Sequence, residues 1–122
     1  MGGSLPDRSV EAALLTALAD ALQDWGGRER SRILLTNHGR VPVDSEVDVS
    51  RTVGWFTANY PFLLSAPNGI DALSRLAEMQ ALLERVPVKG LGYGVLRYLT
   101  PPEMRAEMAF ASAPEISLNY LG

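Results

Sequence analysis

The 122-residue sequence predicts an α/β fold, a layered sheet with packed helices, on three observations. Apolar residues recur at three- and four-residue steps over residues 9–25 and again over 70–86, the period of an amphipathic helix. Around those runs lie short stretches rich in Val, Ile, Phe, Tyr and Thr, bounded by Gly, Pro and Asn, which read as strands. The chain is long enough to bury one core and too short for two, so interleaved strands and helices imply a single layered unit.

The first helix is expected over 9–25, with Val10, Leu14, Ala17, Leu18, Ala21, Leu22 and Trp25 as its apolar stripe. Asp7 or Ser9 can cap its start, and Gly26-Gly27 ends it. Residues 32–36 form a strand by length and by the Gly39 that follows; 41–50 form a polar loop. A strand pair is expected at 52–57 and 60–64, where Gly54 and Pro61 suggest a bulge or an edge. Pro67-Asn68-Gly69 breaks the chain before the second helix, whose stripe is Ile70, Leu73, Leu76, Ala77, Leu83 and Val86, and Pro87 stops it. Residues 89–94 read as a flexible turn, followed by a short helical stretch to Leu99, a helix over 103–110 and a final strand over 115–121. Residues 1–8 are expected to be a flexible N-terminal segment, with 9–122 as the folded unit.

Composition removes several function classes. The chain is 47% hydrophobic and 20% charged, so it folds. Its 11 Lys and Arg against 14 Asp and Glu offer no basic cluster, and nucleic acid is not expected as a partner. With no cysteine there is no disulfide framework, thiol nucleophile or Cys-based zinc site. No apolar run is long enough to cross a bilayer, so no membrane role is expected and a soluble, cytoplasmic protein is.

Isolated motifs add little. Gly90, Gly92 and Gly94 follow a helix, whereas a phosphate cradle needs its glycines between a strand and a helix N-terminus. Asp44, Glu46 and Asp48 lack the glycine and distal bidentate glutamate of a hard-cation loop, so no metal is expected. His38 is the sole histidine and has no second ligand or nucleophile to work with.

Taken in order, however, LLTALADAL (14–22), NHGR (37–40), RTVGWFTANYP (51–61), VPVKGLGYGVLRYL (86–99) and PEISLNYLG (114–122) resemble successive motifs of one family. They are similar to the epimerization domain of nonribosomal peptide synthetases, a member of the condensation-domain superfamily with a fold like chloramphenicol acetyltransferase. The resemblance runs from about Ser9 to Gly122 and covers the C-terminal lobe of a two-lobed domain. It implies L-to-D inversion at the α carbon of an aminoacyl or peptidyl thioester. The substrate hangs on the phosphopantetheine of a peptidyl carrier protein, and the domain needs no cofactor of its own.

The resemblance also marks residues. Asn119 and Tyr120 of NYLG are implied as catalytic; Thr36, His38 and Arg40 are implied as supporting the site. Tyr120 has an equal claim to be a strand residue with its ring in the core. His38 corresponds to the histidine inside the family's EGHGRE motif and is read as structural or supporting. Thr36 stands where that motif opens with glutamate, Asn37 where its first glycine would be, and Val41 replaces its last glutamate. The family's other histidine, the second of HHxxxDG, belongs to the first lobe, and no HH pair occurs here. Two titratable groups flanking the α carbon are what an inversion needs, so these 122 residues alone are expected to be silent. The implied partners are an HHxxxDG-bearing N-terminal lobe and the carrier protein. A non-catalytic module that binds a carrier or recruits an enzyme is the alternative, as is part of an amide-forming condensation domain. Self-association is expected through apolar surface, with Trp55, Phe56, Tyr60, Phe62 and Tyr93 as candidates.

Overall fold

A computed structural model of the chain describes residues 7–108, 110 and 113–122, without the side chains of 7–9. Helix α1 (Asp7–Gly26) leads into β1 (Arg30–Asn37); β2 (Ala58–Ser65) follows a long loop and precedes α2 (Ala72–Glu84). A tight turn at Pro87–Gly90 opens α3 (Leu91–Gly94), which continues as one π turn over Val95–Leu99. A single-turn helix α4 (Pro102–Arg105) and a short strand β3 (Ser117–Asn119) complete the described elements. Of the expected flexible segment 1–8, residues 1–6 lie outside the described residues, and α1 takes in 7 and 8. The expected helix over 103–110 is helical only through Arg105, and its Ala109 lies outside the described residues.

The sheet has the order β2-β1-β3. Strand β1 runs antiparallel to β2 from Arg30↔Ser65 to Asn37↔Ala58, and parallel to β3 from Leu34↔Ser117 to Thr36↔Asn119. Pro61 is tolerated inside β2 for a geometric reason. Its partner Leu34 donates its backbone N–H to Ile116 O at 2.8 Å, on the β3 side. Leu34 and Pro61 therefore face each other as a non-hydrogen-bonded pair, and the donor that proline lacks would have pointed off the open edge.

Alternation along the strands sorts the sheet into two faces. Ile33 and Leu35 of β1 and Tyr60, Phe62 and Leu64 of β2 point to the core, where they meet Ala12, Leu15 and Ala19 of α1 and Met79 of α2. Each large apolar side chain so buried contributes roughly 1.5 to 3 kcal/mol. Leu34, Thr36, Asn59, Leu63, Ser117 and Asn119 belong to the opposite face by the same alternation. Helix α2 starts at Asp71, whose carboxylate accepts from Ser74 N–H at 3.0 Å; the Ser74 hydroxyl and that bond hold its pKa below the ordinary aspartate value.

Several expectations change. The strand expected at 52–57 is a loop, with Val53 99% and Trp55 89% exposed. Its β-formers have no strand to pair with, because β1 ends at Asn37 and the chain at Gly39 crosses Phe56 rather than running alongside it. Helix α1 buries Ala12, Leu15 and Ala19 rather than Leu14 and Trp25, which are exposed. Its stripe is rotated because small alanines let it lie close against the sheet. In α2 the buried residue is Met79, while Leu73 faces outward. The flexible turn expected at 89–94 is a defined left-handed turn followed by helix. Of the five aromatic residues named as apolar surface, Tyr60 and Phe62 are core, and Trp55 alone is fully outside.

Candidate functional site

Strands β1 and β3 are parallel, so both deliver their C-terminal ends to the same rim of the sheet, beside the start of β2. A cavity of about 740 Å³ opens there. Thr36, His38, Asn119 and Tyr120, drawn from motifs far apart in the chain, all line it. Arg40 does not. Its guanidinium donates to Val49 O at 2.5 Å and stacks on the Phe56 ring at 4.3 Å, which pins the 41–57 loop beside the rim.

Thr36 sits between Asn59 on β2 and Asn119 on β3. Its Oγ1 donates to Asn59 Oδ1 at 2.9 Å, so the hydroxyl proton is already committed within the sheet. His38 is exposed, and its Nδ1 accepts the Arg40 backbone N–H at 2.9 Å. A neutral imidazole there must carry its proton on Nε2. Between them Gly39 has φ +70, and a Cβ on it would fall 1.5 Å from Phe56 O. Only glycine permits that crossing of backbones, which sets the 41–57 loop against the His38 end of the rim. Asn37 also lines the cavity, with its Oδ1 buried and unpartnered among the described residues.

Among the lining groups that sequence reasoning missed are Asn59, Tyr60, Glu11 and Lys89. Asn59 and Tyr60 stand beside the edge-marking Pro61, and that pairing of a polar residue with a phenol on an edge strand was the available signal. Glu11 reaches the rim from α1 and Lys89 from the turn at Pro87–Gly90; neither carries a local pattern that would reveal it. Burial, and secondarily the Glu11 charge, push the Tyr60 phenol up to about 12. It is a hydrogen-bond donor and not a base at neutral pH. Threonines, amides and phenols thus make up much of the wall, groups that orient neutral carbonyls and donate hydrogen bonds, with Glu11, His38 and Lys89 as its ionisable members.

The condensation domain family model matches residues 7–122 of this chain. The chain belongs to the condensation domain family. It is 44% identical over 109 residues to surfactin synthase subunit 1 of Bacillus subtilis (strain 168). To tyrocidine synthase 2 of Brevibacillus parabrevis it is 42% identical, again over 109 residues. Each alignment covers 89% of this chain but only 3% of the much longer relative. The epimerization domain from the third module of tyrocidine synthetase B superposes with a TM-score of 0.78 at 39% identity, covering 88% of this chain and 24% of that one. The α/β architecture is therefore that of a condensation-superfamily domain. No helix among the described residues is long and apolar enough to cross a membrane.

Proposed function

We propose that this chain is the C-terminal lobe of an epimerization-type domain of a nonribosomal peptide synthetase. Its rim cavity receives an aminoacyl or peptidyl group carried as a thioester on the phosphopantetheine of a peptidyl carrier protein. The observation that carries the reading is the convergence of Thr36, His38, Asn119 and Tyr120 on one cavity. Inversion at the α carbon removes a proton from one face and returns one to the other, so it needs a base, an acid and donors aimed at the enolate oxygen. The Asn119 amide and the Tyr120 phenol are suited to donate; the Thr36 hydroxyl is too weakly acidic to act as base or acid. The wall binds and polarises the thioester. Proton transfer is left to a lobe bearing HHxxxDG.

A second reading is a module that holds the carrier-bound acyl group without inverting it, and one observation favours it. Thr36 and Asn59 form a neutral hydrogen-bonded pair at the place of the motif glutamate. Part of an amide-forming condensation domain fits the same cavity. Mixing the chain with an HHxxxDG-bearing lobe and an aminoacyl carrier in D₂O separates the three. Deuterium at the α carbon is the result expected for the first reading, and carrier binding without deuterium is expected for the second. Amide formation with a second aminoacyl carrier marks the third. If the carrier neither binds nor reacts, all three fail.

A further inference from the structure

The register of β2 places Tyr60 opposite Leu35, on the core face and close to the rim. The residue is 5% exposed and lines the cavity, and its hydroxyl is not one of the buried unpartnered groups among the described residues, so the tip of the ring opens to the cavity space. A phenol with a packed ring and an open hydroxyl offers a fixed donor to what enters beside it. The partner of this phenol is to be sought in whatever occupies the cavity.

The ring is also held in place by an unusual backbone. Val88 (φ +46), Lys89 (φ +50) and Gly90 (φ +83) are three successive left-handed residues, a conformation disfavoured for the first two. Its outcome is to lay Gly90 flat on the phenol: a Cβ at Gly90 would fall 1.9 Å from Tyr60 Cδ1. The first glycine of GLGYG is therefore a packing surface for Tyr60, which gives that motif a purpose unconnected with phosphate. Burial and the neighbouring Glu11 keep the phenol protonated. Glu11 on the same wall also disfavours an anionic partner for it.

We infer that Tyr60 is a substrate-binding residue whose hydroxyl donates a hydrogen bond to an uncharged carbonyl oxygen of the chain that enters the cavity. That carbonyl is the thioester itself or an amide of the pantetheine arm. The inference rests on the proposed reading of the cavity as a site for a tethered acyl group.

The test titrates pantetheine and S-acetylpantetheine onto the whole chain, wild type and Tyr60→Phe, with Tyr98→Phe as an exposed control, read by NMR and by thermal unfolding. Tyr60→Phe is expected to weaken binding about three- to tenfold, the range of one hydrogen bond, with an unchanged melting temperature. Loss for the acetyl form alone identifies the thioester carbonyl; equal loss for both identifies an amide of the arm. Equal affinity of wild type and Tyr60→Phe for both probes overturns the inference and leaves the cavity reading standing. A lowered melting temperature overturns it too, because the hydroxyl would then have a partner inside the fold. If neither probe binds wild type, the cavity reading fails and this inference with it.

Discussion

Gly39→Ala lowers the melting temperature by roughly 10 °C or more, the largest single-residue effect expected outside the core. Two costs combine. A left-handed alanine is disfavoured by about 1 to 2 kcal/mol, and the new methyl collides with backbone, 1.5 Å from Phe56 O and 2.6 Å from Phe56 C. Backbone cannot rotate aside as a side chain can, so the overpacking adds about 1 to 3 kcal/mol. Gly69→Ala is the matched control. It has φ +80 with nothing within 4 Å of the added Cβ, so it carries the conformational cost without the collision. Equal melting temperatures for the two variants would show that the 38–57 crossing yields easily, and that the rim is not held by it.

Thr36→Glu carries the largest functional effect. The substitution restores the motif's carboxylate beside Asn119 at the mouth of the cavity. In the presence of an HHxxxDG-bearing lobe, α-proton exchange on a carrier-bound aminoacyl thioester is expected to rise by about 10²- to 10⁴-fold over wild type, the contribution typical of one positioned general base. Stability moves the other way. The Thr36 to Asn59 hydrogen bond is lost, at a cost of about 1 kcal/mol. Thr36→Gln, which matches the size without the charge, separates a base from a mere change of shape. Exchange raised equally by both variants, or by neither, would remove proton transfer from the account of this position.

What the sequence made legible was local. The period of α1 and α2, the length of β1, and Pro61 as an edge marker are properties of a few neighbouring residues, and each has its counterpart in the fold. The misreadings have a common origin in pairing. Residues 52–57 have strand chemistry, yet a strand needs a second strand running alongside, and past Gly39 the chain crosses this segment at Phe56 instead of extending beside it. The stripe of α1 is rotated because the sequence cannot say that Ala12 and Ala19 face a sheet at close range. The candidate site shows the same division. Thr36, His38, Asn119 and Tyr120 are marked by the motif resemblance, and they share the cavity. Arg40 is marked with them but supports the loop through Val49 and Phe56. Tyr60 stays hidden in the sequence because its meaning lies in groups distant along the chain, the packing of Gly90 and the charge of Glu11.

On the proposed reading the cavity wall supplies binding and donor groups, with Glu11, His38 and Lys89 as its ionisable ones, and inversion still needs the HHxxxDG-bearing lobe on the other side of the α carbon. The purified wild-type chain, alone in D₂O with an aminoacyl pantetheine thioester, tests that most directly, with mass spectrometry of the α position as the readout. Deuterium incorporation no faster than in buffer is the result expected. Catalysed incorporation, or appearance of the D-configured acyl group, would contradict it.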